Sequence, residues 1–142
     1  HEVCVTFGAP PDVGKFTLTV SYVGLCSDTE LHGVYQCTHP KSKESVTMTH
    51  LEPAFAKETF VCLDDFSVRP RWTLELQVPQ GMHAVANMPV TAVKEAGKTG
   101  RTFLFQETPP MPAYLLAFYV SKGPLQAAAQ TYKSALDGTE VP

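Results

Sequence analysis

The sequence predicts a mainly β domain, a curved, saddle-shaped sandwich of antiparallel or mixed sheets, and three observations carry that expectation. Apolar and polar residues alternate with period two through the first two thirds of the chain, the pattern of a strand with one face buried and one wet. The alternating runs are short and closed by turn-forming residues. Prolines number 12 in 142 residues, against roughly 7 at average usage, which favours many short elements joined by stiff turns.

Composition narrows the class further. With 44% apolar and 18% charged residues the chain can bury a core, since a domain of this length removes roughly 70% of its unfolded surface from water. A net charge of -3 supplies no excess of cations for phosphate, which argues against nucleic acid as a partner. The longest apolar stretch, Ala113 to Val120, falls far short of the roughly 20 residues a membrane helix needs, so no membrane span is expected in this segment. The start, His1-Glu2-Val3-Cys4-Val5, has neither a basic nor an apolar leader region; the chain is expected to be a piece of something longer.

In chain order, Val3, Val5 and Phe7 alternate ahead of the turn cluster Gly8-Ala9-Pro10-Pro11-Asp12. Phe16, Leu18, Val20 and Tyr22 then alternate with Thr17, Thr19 and Ser21, so the first two strands are expected to form a hairpin. Leu31 to Cys37 and Ser45 to Leu51 make a second pair across the polar linker from Thr38 to Lys43. Residues 53–60 follow as a short helix with Pro53 at its first position. Trp72, Leu74, Leu76 and Val78 alternate until Pro79 ends the strand. Shorter strands are expected at Met82 to Asn87, Arg101 to Gln106 and Tyr114 to Val120. Near the end, Leu125, Ala128, Ala129, Tyr132 and Leu136 share one helical stripe, which predicts a helix near 124–136 that stops before Asp137-Gly138.

Few residues form a pattern that carries chemistry. His1-Glu2 lacks the second histidine four positions on that a helical zinc motif requires, since Val5 stands there. His32, His39, His50 and His83 fall at no ligand-like spacing, and neither a nucleophile elbow nor a phosphate loop occurs. Cys4, Cys26, Cys37 and Cys62 show no Cys-x-x-Cys pair and are read as buried free thiols, with disulfides as the alternative. Free thiols and the lack of a glycosylation sequon lean toward a reducing, cytoplasmic compartment. The densest polar stretch runs from Thr49 to Pro53 and holds His50 and Glu52. On pattern alone, Glu52 is a carboxylate at a helix N-terminus or a recognition group facing a cleft. Asp64-Asp65 reads as a loop-bracing pair.

Five blocks resemble a known family. Thr49-x-x-Glu52-Pro53, Phe60-x-Cys62-x-Asp64-Asp65, Trp72 to Pro79, Ala86-Asn87-Met88-Pro89-Val90 and Thr108 to Phe118 match, in order and spacing, the N-terminal domain of the zinc aminopeptidases related to aminopeptidase N and puromycin-sensitive aminopeptidase. Leu31-His32-Gly33-Val34-Tyr35 resembles the strand that precedes them. The resemblance implies a partial aminopeptidase β domain over 1–121, followed by a helical or irregular extension over 122–142. It also implies a catalytic domain in the same chain, zinc in the parent protein and none in this segment, and peptide substrates with a free N-terminus. Glu52 and His50 are then substrate-binding residues on the pocket wall, Glu52 accepting hydrogen bonds from the peptide's ammonium group. No catalytic residue and no metal ligand is expected here. His50 stands where the family usually has Gln, which leaves a non-catalytic, scaffold-like relative as the second reading.

Overall fold

The structure, a computed structural model, describes residues 8, 13–97, 100–122, 132–133 and 140–141. Two antiparallel sheets dominate it. The first has four strands, β1 (Gly33–Thr38), β2 (Ser45–His50), β7 (Phe118–Lys122) and β4 (Met82–Ala86), adjacent in that order. The second has three, β3 (Glu75–Val78), β6 (Arg101–Phe105) and β5 (Val90–Glu95). A short helix, α1 (Ala56–Thr59), follows β2. Among the described residues no helix is long and apolar enough to cross a membrane.

The expected alternation builds the core between the sheets. Val78 from β3 and Phe103 and Phe105 from β6 meet Ala84 from β4 and Val120 from β7, and all five are buried. Each large side chain removed from water in this way contributes about 1.5–3 kcal/mol. Arg101 ties the layers at one corner: its Nη2 donates to the Met82 carbonyl at 2.6 Å, and the guanidinium lies 5.4 Å from the centre of the Phe103 ring. A smaller cluster of Leu51, Ala56, Ala113 and Leu116 packs beneath the end of β2, edged by Phe60, Trp72 and Tyr114.

The second expected hairpin forms in full register, Gly33 opposite His50 through Thr38 opposite Ser45. The strand expected over Trp72 to Val78 starts only at Glu75. Ahead of it the Trp72 amide donates to the Thr108 hydroxyl instead of a main-chain carbonyl, at 3.0 Å, and Pro109-Pro110 have no amide with which to continue the ladder. The strand expected from Tyr114 starts at Phe118; a 3-10 turn over Ala113–Leu115 occupies its first part. Residues 53–60 shrink to the four of α1, and Pro53 lies in the preceding turn, joined to Glu52 by a cis peptide bond. β5 was not foreseen because all six of its residues are exposed, so its sequence carries no buried-face rhythm.

The alternating run from Phe16 to Tyr22 forms no strand. Leu18, Val20 and Tyr22 line a cavity of about 580 Å³ against Trp72, Leu74 and Phe118, yet each stays at least 40% exposed, and no described strand pairs with the run. The Val3 to Phe7 strand lies outside the described residues. So does most of the expected helix over 124–136. Its two described positions, Tyr132–Lys133, instead form a two-residue strand (β8) paired with Glu140–Val141 (β9).

Candidate functional site at the end of strand β2

Leu51 organises this corner of the molecule. It is 2% exposed, while His50 before it and Glu52 after it are both exposed. Burial of the middle residue turns its neighbours, the imidazole and the carboxylate, toward solvent. The chain then reverses. The Phe55 amide donates to the Leu51 carbonyl at 2.9 Å, and fully buried Ala56 opens α1 against the same small core. Glu52 forms no hydrogen bond or ion pair with another described residue, so its oxygens are available to a ligand.

His50 is held. Its Nδ1 lies 3.0 Å from the Leu31 carbonyl oxygen. That carbonyl belongs to a braced segment, because the next residue, His32, stacks on Phe55 with ring centres 4.2 Å apart. His32 also reaches carboxylates on both sides, with Nδ1 3.0 Å from Glu58 and Nε2 3.6 Å from Glu30. Gly33 follows at φ 68°, in the left-handed region that costs a residue with a side chain about 1–2 kcal/mol. This His32 arrangement was not foreseen. The histidine lies 26 positions from Glu58, and only the β1–β2 hairpin brings them together.

Other residues of the matched blocks serve as braces. The Phe118 amide donates to the Thr49 hydroxyl at 3.0 Å, which fastens β7 to the end of β2. Asn87 replaces a strand neighbour: its Nδ2 donates to the Leu115 carbonyl at 2.8 Å and its Oδ1 accepts from the Ala117 amide at 2.6 Å. The Trp72 indole donates to the Met111 carbonyl at 3.0 Å. Asp65 accepts from both the Ser67 hydroxyl and the Ser67 amide, and these bonds, the hydroxyl's first, hold its carboxyl below the usual range. Asp64 accepts from the Lys57 amide at 3.3 Å. The acidic pair is thus a loop brace, as its sequence indicated.

Among the described residues Cys26, Cys37 and Cys62 are free thiols. None is buried, contrary to expectation: Cys26 is exposed and the other two are half-buried, because β1 is an edge strand and residues 61–64 run along the surface. Burial, and then the Asp64 charge, push the Cys62 thiol up to about 11, with Lys57 acting in the opposite direction. A thiol so protonated is a poor nucleophile. No three His, Cys, Asp or Glu side chains among the described residues converge as a metal site. The described side chains present no donor set that fits zinc.

Comparisons with known proteins identify the family to which this mainly β chain belongs. The family model described as "Peptidase M1 N-terminal domain" matches residues 1–115, and this chain belongs to that family. It is 33% identical over 139 residues to aminopeptidase M1-A of Oryza sativa subsp. japonica, covering 96% of this chain and 15% of that protein. It is 31% identical over 116 residues to aminopeptidase M1 of Arabidopsis thaliana, covering 80% and 13%. Probable aminopeptidase 2 of Sulfurisphaera tokodaii is 31% identical over 111 residues, covering 77% and 14%. The chain therefore spans only about one seventh of the length of these relatives.

Proposed function

We propose that this segment is part of the N-terminal domain of a zinc-dependent aminopeptidase that removes residues from the free N-terminus of peptides, and that it supplies substrate-pocket wall. The β domain covers residues 1–121 and the remaining 21 positions extend it. The zinc site and the general base belong to a catalytic domain of the same chain. The free thiols favour a reducing, cytoplasmic setting.

The observation that carries this reading is the unpaired, exposed Glu52 carboxylate on a turn anchored by buried Leu51. A carboxylate held without a partner can accept charge-assisted hydrogen bonds from an ammonium group, each worth about 1.5–3 kcal/mol. Gripping the charged terminus fixes which peptide bond lies one residue away, so binding energy becomes position. Glu52→Gln in the full-length protein keeps the shape and removes the charge. It should lower kcat/KM on alanine 4-nitroanilide about tenfold or more. Unchanged kcat/KM removes Glu52 from the site. The second reading, a non-catalytic aminopeptidase-like scaffold, is favoured by His50 alone, which stands where the resemblance expects Gln. Absence of bound zinc and of turnover in the full-length protein would establish it.

A further inference from the structure

The stretch from Val13 to Leu25 forms no hydrogen bond with another described residue, so its main-chain donors and acceptors stand open on both edges. Leu18, Val20 and Tyr22 nevertheless reach one cavity, as alternate residues of a strand do, while Thr17, Thr19 and Ser21 between them are exposed. Proteins usually blunt an open strand edge with charge or irregularity. β5, at the edge of the second sheet, has Lys94, Glu95 and a register shift between Val90 and Ala92. Between Phe16 and Tyr22 there is no charge, proline or glycine.

The same stretch is symmetric in residue type about Thr19. Reading outward, Leu18 matches Val20, Thr17 matches Ser21 and Phe16 matches Tyr22; farther out, Gly14 matches Gly24 and Val13 matches Leu25, with Lys15 and Val23 breaking the symmetry. Laid antiparallel on a copy of itself about Thr19, such a strand sets aromatic opposite aromatic, aliphatic opposite aliphatic and hydroxyl opposite hydroxyl. Each such pair contributes about 0.2–1 kcal/mol.

We infer that residues 16–22 are a docking strand for a second copy of this chain, paired antiparallel about a twofold axis at Thr19. One patch then serves both partners, as a twofold contact requires. The new hydrogen bonds run in the plane of the sheet, so the side chains that line the cavity keep their direction. Phe16, Leu18, Val20, Tyr22, Val23 and Leu25 are all exposed and leave roughly 700 Å² uncovered per copy, so a pair can hide up to roughly 1,400 Å², within the range of specific interfaces. After the entropic cost of association this corresponds to a dissociation constant of micromolar order, and dilute solutions hold single copies with the run uncovered.

In the full-length protein, mild oxidation of Thr19→Cys at tens of micromolar should give a covalent dimer whose linked peptides map to position 19, because facing residues come within disulfide reach. Thr17→Cys should give no link between two copies of position 17, and Thr17→Cys/Ser21→Cys should link 17 to 21. Sedimentation equilibrium gives a second measurement, on variants of the hydroxyl face that leave the apolar face intact. Thr17→Lys/Ser21→Lys sets like charges opposite each other twice and should weaken association about tenfold. Thr17→Lys/Ser21→Glu should restore it to within about twofold of wild type. A wild-type chain that stays monomeric, a link between two copies of position 17, or equal association of the two charge variants overturns the inference. The first result is the one expected if another segment of the same protein lies along this edge; parallel pairing of the two strands gives the second.

Discussion

Leu51→Ala tests whether the corner that presents Glu52 is held by packing. The side chain is 2% exposed and lies among Ala56, Ala113 and Leu116, so truncation leaves a hole edged partly by residues too small to fill it. Leucine-to-alanine changes at buried sites cost about 2–5 kcal/mol, according to how far the surroundings relax. Half-buried Phe60, Trp72, Met111 and Tyr114 border the same cluster and can shift inward, which places the expected loss at about 2–3 kcal/mol. For a chain of this length that lowers Tm by roughly 6–10 °C. The control is Leu115→Ala, one residue from Leu116 but 40% exposed, expected to cost below about 1 kcal/mol. Thermal and urea unfolding of both variants give the comparison. Leu51→Val serves if the alanine variant does not fold, with an expected loss of about 1 kcal/mol. Equal losses at Leu51 and Leu115 would refute the claim that burial of Leu51 orients its neighbours.

Gly100→Ala should be among the most damaging single substitutions, costing about 3 kcal/mol or more by urea unfolding, because Gly100 sits at φ 144° and a Cβ there would run into the Val78 carbonyl. Asn87→Ala strips partners from the Leu115 carbonyl and the Ala117 amide; a loss of about 1–3 kcal/mol is expected, with faster hydrogen exchange at the Ala117 amide. Cys62, whose thiol is pushed up to about 11 by burial and Asp64, should react with iodoacetamide at about pH 8 more slowly than a free cysteine, as read by peptide mapping. The same shift works on stability: a raised folded-state value helps below the unfolded thiol's range and fades as pH rises toward 11, so Cys62→Ser should flatten the alkaline limb of the stability curve.

Much of this fold is legible locally. The β1–β2 hairpin follows from two alternating runs with a polar linker, and β4 and β6 from similar short runs, because in each the buried face leaves its mark every second residue. What is not legible depends on partners distant in sequence. The run from Phe16 to Tyr22 has the clearest strand pattern in the chain, but strand pairing requires a second backbone and no period reports one. β5 shows the converse, pairing with β6 while burying no side chain. Strand starts at Trp72 and Tyr114 were misplaced because the hydroxyl of Thr108 and the amide of Asn87 take hydrogen bonds that a ladder would otherwise hold. At the candidate site, His50 ends β2 and Glu52 stands in the turn that follows, both exposed. The Leu31 carbonyl that holds the imidazole lies 19 positions away and leaves no trace in composition or spacing.

The run beside the 580 Å³ cavity, with which no described strand pairs, has a practical consequence for anyone handling this polypeptide alone. Phe16, Val23 and Leu25, at 70%, 96% and 93% exposure, present greasy surface that fluorescent dyes such as ANS, mild detergents and heat-shock chaperones all seek out. A net charge of -3 gives only modest electrostatic repulsion to keep molecules apart in suspension. Preparations should therefore light up with dye while still fully folded, cloud on addition of ammonium sulfate, and clear when a nonionic surfactant is added.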